Sequence, residues 1–432
     1  MAIKAQVSSG SADPTRRART RLPPELRAFW IASLVGFALA FVIGWLKWRA
    51  GESRYNWDPL SDPLFGDLME YPGTYQLLHT AAFFFNVAGN PWPYPMFSAV
   101  AYPPFAAVVM APMYAFPIPE LLYLIVSGAW LALLAGWIGR GLARAGIGLA
   151  TAVLLPLSLL LISFPIERLL HQGNVEVVLW MLTAFGALAF LRGRNDAAAV
   201  LWGLAAAMKL FPIVLLALLL PRGKWRAFAL GLCTFVLATV LSLWWLGPSI
   251  GIAWRGSLQN VFGYQGIRMG EFSLRELVAN HSLIDLAKLL AMIAHYPLGK
   301  LTPPYFALGT VVLAAAFFGK LWKMPVANQF LGISTFMVMF PPISYYHALV
   351  HMIAPLLLLG WIAIRAQQAG VRVAGLGATI LLFVPLFVPF TVLTFPHAFL
   401  YCGMLQSLVL LALFVRALEY PFAVEERVES RA

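Results

Sequence analysis

Carboxylate side chains that could act as a general base are concentrated between residues 49 and 97. The acids of this stretch are Glu52, Asp58, Asp62, Asp67 and Glu70. A carboxylate that is buried beside aromatic groups has a raised pKa and can take a proton from an attacking hydroxyl group. A solvated loop carboxylate is the alternative for any one of them. Asp58 and Asp62 could also be metal ligands, although the neighbouring prolines favour turns.

A lysine inside an apolar segment is the second candidate for chemistry. Residues 191–226 carry basic side chains at both ends, namely Arg192, Arg194, Arg222, Lys224 and Arg226. Positive flanks favour the cytoplasm, so both ends are expected on the same side. Roughly 26 mostly apolar residues lie between them, whereas two full crossings need about 40. We therefore predict a re-entrant hairpin over 197–221, broken at Pro212, with Lys209 near its tip facing an anionic lipid-linked group.

Two junctions between apolar segments carry further polar side chains. In the first, Glu167 and Arg168 precede His171-Gln172-Gly173-Asn174. This group could bind sugar hydroxyls or phosphate, and the alternatives are a polar interface loop and an N-cap role for Asn174. In the second, His347 and His351 lie four residues apart, a spacing that can also bind metal. We expect His347 to face a phosphate or sugar and His351 to be a hydrogen-bonded core histidine.

The second polar loop mixes basic, amide and aromatic side chains. They are Arg255, Gln259, Asn260, Tyr264, Gln265, Arg268 and Glu271, followed by Asn280-His281-Ser282-Leu283. Arginine can bind phosphate with two parallel hydrogen bonds, so this mixture suits a lipid phosphate and a sugar ring. An interfacial loop with an aromatic belt explains the same composition.

The elements that must position these residues are membrane helices. The chain of 432 residues is 61% hydrophobic and 11% charged, with a mean hydropathy of +0.79. Soluble domains carry about a quarter charged residues, so this composition predicts a polytopic membrane protein. The net charge of +12 comes largely from residues that flank apolar segments, which favours cytoplasmic anchoring over nucleic-acid binding. The cysteines, Cys233 and Cys402, lie in apolar segments and indicate neither a disulfide framework nor a zinc site.

The apolar pattern predicts an all-α fold of about 11–13 transmembrane or re-entrant helices. The predicted spans are 29–48, 98–117, 120–139, 148–164, 175–191, 227–246, 303–322, 327–341, 347–364, 373–391 and 398–417, beside the hairpin at 197–221. Residues 1–28 and 419–432 are predicted cytoplasmic tails around a single domain, 29–418. Residues 49–97 and 247–302 are predicted extracytoplasmic loops, the second with an amphipathic interfacial helix at 283–296. Arg140 and Arg144 disagree with a simple count of crossings. Either one segment between 98 and 147 is short or re-entrant, or this basic patch is an exception to the charge rule.

In their order along the chain, several motifs resemble glycosyltransferase family 87 of the GT-C superfamily. They are D-x-x-x-Y (Asp67, Tyr71), G-x-P-x-x-Y (Gly89–Tyr94), Y-P-P (Tyr102–Pro104), Q-G-N (Gln172–Asn174), W-G-L-A-A-A-M-K-L-F-P (Trp202–Pro212), N-H-S-L (Asn280–Leu283) and Y-Y-H (Tyr345–His347). The resemblance runs from about residue 30 to 365. It implies a GT-C-type fold and transfer of a sugar from a polyprenyl-phosphate donor to a lipid-anchored or envelope glycan.

The resemblance also implies roles for individual residues. Asp67 matches the general base of the first extracytoplasmic loop, and Lys209 matches the lysine that contacts the donor phosphate. The same comparison implies donor-site positions for Arg168, Arg268, His347, Gln172, Asn174, Tyr71 and Asn280. Where the family reads G-Q-x-N, this chain has Gln172-Gly173-Asn174 after His171.

The reaction implied by the resemblance is a single inverting step, without metal or cofactor, on the periplasmic side of a bacterial inner membrane. Mannose is the expected sugar, and arabinofuranose and glucose are the alternatives. Membrane lipids are the expected surroundings and nucleic acid is not an expected partner. A lipid or anion transporter or flippase is the main competing function, and a structural assembly subunit is a third.

Overall fold

The computed structural model describes residues 21–49, 102–114, 116–246, 249–255, 257–258, 280–389 and 402–424. The α-helices are α1 (Pro24–Arg49), α2 (Pro104–Tyr114), α3 (Pro119–Arg144), α4 (Leu149–Leu161), α5 (Phe164–Gln172), α6 (Glu176–Leu191), α7 (Asn195–Met208), α8 (Trp225–Leu246), α9 (Leu283–Ile293), α10 (Thr302–Gly319), α11 (Val326–Met339), α12 (Ile353–Gln368), α13 (Leu376–Leu381), α14 (Val384–Phe387) and α15 (Cys402–Glu419). The 3-10 helices are Phe211–Arg222, Leu298–Lys300, Leu321–Lys323 and Tyr346–Met352.

Within the described residues, five helices are long and apolar enough to cross a membrane. They are Pro24–Leu46, Pro119–Arg144, Trp225–Trp245, Thr302–Lys323 and Tyr346–Gln368. Helices α4 and α5 meet at 55° and could together form a sixth span. Large apolar side chains such as Phe41, Leu133, Trp244 and Val311 are exposed on these helices, as expected where the surroundings are hydrocarbon. The chain is an all-α polytopic membrane protein, as its composition predicts.

The region around 98–147 contains one short helix and one long helix. Helix α2 has 11 residues, about 16 Å at 1.5 Å per residue, whereas α3 has 26. Helix α2 is therefore shorter than a full crossing. The side of the membrane on which Arg140 and Arg144 lie stays a prediction.

Residues 176–222 form three antiparallel arms. Helix α6 runs from Glu176 to Leu191, and α7 runs back along it until Lys209 pairs with Glu176. The 3-10 helix then returns, and the guanidinium of Arg222 stacks 4.4 Å from the centre of the Phe190 ring. A 3-10 helix rises about 2.0 Å per residue, so its 12 residues match the 14 residues of α7 in length. The two arms of the hairpin therefore begin and end at the same level.

Close packing between α6 and α7 depends on a glycine. A Cβ atom on Gly186 would lie 2.4 Å from Nε1 of Trp202, so only hydrogen fits there. The Trp202 indole is fully buried and donates to the carbonyl oxygen of Thr183. This contact fixes the register between the two arms and hence the level at which Lys209 meets Glu176.

Helix α9 covers most of the predicted amphipathic segment, with its charged residues turned inward. Asp285 and Lys288 are each about 2% exposed and lie 3.7 Å apart. Leu290 and Ile293 are exposed instead. The helix therefore presents an apolar face outward. Its predicted position along the membrane–water interface stays a prediction.

Candidate active site

Glu176 contacts basic side chains from two distant parts of the chain. Its Oε2 accepts a hydrogen bond from Nζ of Lys209 at 2.7 Å, and its Oε1 lies 2.8 Å from Nε2 of His351. Nδ1 of His351 lies 3.0 Å from Oγ1 of Thr183, which itself donates to the carbonyl oxygen of Trp180. The side chains of Glu176 and His351 are 1% and 4% exposed, and that of Lys209 is 20% exposed. In this Glu176 cluster (Glu176, Lys209, His351 and Thr183), Lys209 is therefore the member that a ligand can reach.

The local sequence explains why Lys209 stands at the break of the hairpin. The alanine-rich segment ahead of it favours the α-helix that ends at Met208. Pro212 lacks a backbone N–H and disfavours a helical residue before it, so the α-helix cannot continue. Lys209 takes extended backbone angles (φ −152°, ψ 125°), and the chain re-enters a 3-10 helix at Phe211. The break falls at Lys209 and Leu210, just before the predicted position.

The Q-G-N turn places Glu176. Gly173 ends helix α5 with a left-handed backbone (φ 65°), a conformation that costs glycine nothing. Asn174 is buried, and its Oδ1 accepts the N–H of Glu176 at 2.8 Å while its Nδ2 donates to the hydroxyl of Tyr102 at 3.1 Å. The hydroxyl of Tyr123 donates to the backbone carbonyl of Asn174. The Asn174 amide thus helps to start α6 and links it to the Y-P-P motif.

Gln172 and His347 are brought together, as partners of one hydrogen bond. Oε1 of Gln172 lies 3.1 Å from Nδ1 of His347, which sits in the 3-10 helix Tyr346–Met352. The charges of Lys209 and Arg168 act on the His347 ring, so these groups share one electrostatic environment. The structure therefore assembles four of the predicted donor-site residues, Lys209, His347, Gln172 and Arg168, around the start of α6.

Asn280 connects two loops. Its Oδ1 accepts from the backbone N–H groups of Ser282 and Ser344, at 3.2 and 2.8 Å, and its Nδ2 donates to the carbonyl oxygen of Pro342 at 3.1 Å. The amide is 3% exposed and its hydrogen bonds are directed at backbone. Asn280 therefore holds the chain just ahead of His347.

His281 lies beside the same environment. Its backbone N–H donates to the carbonyl of Ser344, and its ring is fully buried, 6.0 Å from the ring centre of Tyr346. Burial, together with nearby His347 and Lys209, lowers the pKa of His281 to about 3. The ring is therefore neutral at physiological pH.

Sequence reasoning did not single out Glu176, Thr183 or Tyr123. The signal for Glu176 was available, since a single carboxylate in an apolar run is a functional candidate. Thr183 and Tyr123 carry no such signal, because hydroxyl groups are common in apolar helices. His351 is buried and hydrogen-bonded, as expected, but its partner is a carboxylate. Asp67, Tyr71 and Arg268 lie outside the described residues.

Comparison with known proteins identifies the family. The profile of glycosyltransferase family 87 matches residues 100–342, a little over half of the chain. This range contains Glu176, Lys209 and the Q-G-N turn, and it ends ahead of His347. A search of curated proteins found no match. The length of the family match, on an all-α membrane fold, shows that the chain belongs to glycosyltransferase family 87 and is a membrane glycosyltransferase.

Proposed function

We propose that this protein transfers mannose from a polyprenyl-phosphate donor to a hydroxyl group of a lipid-anchored or envelope glycan. The observation that carries the proposal is Lys209, a partly exposed cation at the break between α7 and the returning 3-10 helix, in the same electrostatic environment as the hydrogen-bonded pair of His347 and Gln172. An ammonium group at membrane depth suits the phosphate of a lipid-linked donor, because the prenyl chain occupies the same apolar surroundings.

The proposed reaction is one inverting displacement. Asp67 accepts the proton of the acceptor hydroxyl, whose oxygen forms a bond to the anomeric carbon of the donor sugar. The bond between that carbon and the phosphate oxygen breaks, and the electron pair leaves with the polyprenyl phosphate. Lys209 donates a hydrogen bond to the departing phosphate, and Arg168, Arg268 and His347 supply further positive charge or hydrogen bonds.

A lysine suits this leaving group. A monophosphate donor carries one negative charge before the sugar leaves, and a fixed ammonium group can balance the charge that develops on the phosphate oxygen. The donor binds along the apolar faces of the helices, and Gln172, Tyr71 and Asn280 belong to the sugar or donor region in this proposal. The reaction requires no metal or other cofactor.

The proposed site faces the periplasm of a bacterial inner membrane. Basic residues lie at the end of the hairpin where Arg222 meets Phe190, and Lys209 lies at the opposite end, about 20 Å away for a helix of 14 residues. Short basic loops favour the cytoplasm. By this rule Lys209 opens toward the extracytoplasmic side, where a glycan acceptor would be presented.

The test is release of polyprenyl phosphate from radiolabelled polyprenyl-phosphate mannose by the purified protein, with membrane glycolipids as acceptor and EDTA present. We expect turnover by the wild type, loss of turnover with intact donor binding in Asp67→Asn, and near-normal turnover in the matched acid-to-amide control Glu70→Gln. Equal turnover in wild type and Asp67→Asn would contradict the base assignment. Donor that crosses vesicle membranes without losing its sugar would support the flippase function instead.

A further inference from the structure

Glu176 is an anion fixed beside the group that is proposed to bind the donor phosphate. Its Oε2 lies 2.7 Å from Nζ of Lys209, and an ammonium group at this distance keeps the carboxyl group ionised. The Lys209 side chain is partly exposed, whereas that of Glu176 is buried. A ligand therefore reaches Nζ from one side while the carboxylate lies on the other.

Glu176 is held in place independently of Lys209. Its Oε1 lies 2.8 Å from Nε2 of His351. A carboxylate oxygen only accepts, so Nε2 donates to it, and it does so whether the imidazole is neutral or protonated. The backbone N–H of Glu176 donates to Oδ1 of Asn174 at 2.8 Å. Glu176 also lies in the first turn of α6, where the helix dipole stabilises a negative charge. The carboxylate therefore stays in position when a ligand takes over hydrogen bonds of Nζ.

A phosphate that is bound to Lys209 lies close to this carboxylate. An ammonium group has three N–H donors in a tetrahedral arrangement, and Glu176 accepts from one of them. A phosphate oxygen that accepts from a second N–H at a similar distance lies about 4.5 Å from Oε2. Two negative charges at this separation repel each other strongly in a partly buried site. Glu176 therefore lowers the affinity of Lys209 for an anion, and the reduction increases with the charge of the anion.

The proposed reaction changes the charge of the phosphate. In the donor, the phosphate is linked to both the sugar and the prenyl chain and carries one negative charge. When the bond to the sugar breaks, the product is a phosphate monoester, whose second ionisation has a pKa of about 6 and whose charge at neutral pH is about −1.5 to −2. Lys209 alone would therefore hold the product more tightly than the donor, and the repulsion from Glu176 opposes this difference.

We propose that Glu176 makes the phosphate site sensitive to ligand charge, so that the singly charged donor is retained and the more highly charged polyprenyl phosphate is released. Glu176 does not contact the phosphate and is a positioning residue. This inference rests on the proposed function, in which Lys209 contacts a phosphate. The expected effect of removing Glu176 has the same direction for a neutral and for a protonated His351, because one negative charge is lost in both cases.

The experiment measures binding of three ligands to the purified full-length protein in detergent at about pH 8, where a phosphate monoester carries two charges. Farnesyl phosphate has the charge of the product, its monomethyl ester has the charge of the donor, and farnesol is uncharged. Glu176→Gln should bind the monomethyl ester about tenfold more tightly than the wild type does, and farnesyl phosphate about 30- to 100-fold more tightly, because Coulomb repulsion is proportional to the ligand charge. Binding of farnesol should be unchanged.

Two further variants support the measurement. Asp196→Asn is the matched control, because it removes one negative charge from the exposed, opposite end of α7. It should bind all three ligands like the wild type. Glu176→Ala is the second variant in case Glu176→Gln does not fold. It removes the same charge and introduces a residue that favours the helix, and it should change the three affinities in the same order.

Lys209→Met separates a failure of this inference from a failure of the proposed function. If the two phosphates gain affinity equally in Glu176→Gln, or gain none, the inference is overturned. The proposed phosphate contact then still stands, provided that Lys209→Met binds both phosphates more weakly than the wild type does. If Lys209→Met binds both phosphates like the wild type, the phosphate contact of Lys209 and the inference are both overturned.

Discussion

The two ends of the hairpin formed by α7 and the 3-10 helix Phe211–Arg222 hold their cations in different ways. At one end Lys209 is paired with a carboxylate and is 20% exposed. At the other, Arg222 donates to the carbonyl oxygen of Leu218 and to Oε1 of Gln329, and it stacks on the Phe190 ring. A cation that is paired with an anion can exchange that partner for an anionic ligand. A cation whose partners are neutral groups stabilises the fold instead. In the proposed function, the Lys209 end of this supersecondary unit is the binding end and the Arg222 end is the structural end.

Lys209→Met should produce the largest effect and would test the binding end directly. The change removes the ammonium group while it keeps most of the apolar stem, so we expect turnover to fall by about 10²–10³. The measurement is release of polyprenyl phosphate by protein that is matched for thermal stability. The control is Lys224→Met, which changes an exposed lysine beside the structural end. Comparable losses of turnover in both variants would show that the two ends of the hairpin do not differ in function.

Asn280→Ala should lower both stability and turnover. Three hydrogen bonds to backbone groups are lost in a buried position, so we expect the free energy of unfolding to fall by about 2–4 kcal/mol. Turnover should fall as well, because the loop ahead of His347 is no longer held. Asn280→Asp replaces the donor to Pro342 with a carboxylate oxygen that faces the carbonyl oxygen, in a position 3% exposed, so it should also destabilise the protein. Reversible unfolding in mixed detergent micelles measures both.

Arg222→Met tests whether the cation at the structural end contributes to stability and not to turnover. We expect a loss of about 1–2 kcal/mol in the free energy of unfolding, from one cation–π contact and two hydrogen bonds to neutral acceptors. The turnover number of the folded protein should stay within about twofold of the wild type. A loss of turnover as large as that of Lys209→Met would show that both cations serve the reaction.

The exposed ion pair near the structural end should have the smallest effect. Arg226 and Asp196 lie 3.8 Å apart, and their side chains are 90% and 55% exposed. Water and salt screen such pairs, so Asp196→Asn should change neither turnover nor thermal stability measurably. Thermal unfolding at low and high salt provides the check.

The sequence predicted the break beside Lys209 because its signals are local, whereas the re-entrant position of the hairpin in the membrane stays a prediction. Basic flanks, an apolar segment too short for two crossings and a proline after Lys209 all lie within residues 191–226. The pairing of Lys209 with Glu176 was not predicted, because it depends on the register between α6 and α7. That register depends in turn on the close contact between Gly186 and the Trp202 indole. The roles of Asn174 and Asn280 were equally hard to predict, since an amide that binds backbone and one that binds a ligand look alike in sequence. Asp67 lies outside the described residues, and its role rests on the resemblance and on proton-transfer chemistry.

The 3-10 geometry of Phe211–Arg222 determines which positions of this arm tolerate substitution. A helix with three residues per turn repeats its faces at every third position, and Pro212, Leu215 and Leu218 are buried, as are Leu216 and Leu219. Helix α7, packed against it, repeats every 3.6 residues. Among functional variants, tolerated substitutions should therefore recur about every third residue along the 3-10 helix and about every 3.6 residues along α7. The spacing should change at Lys209.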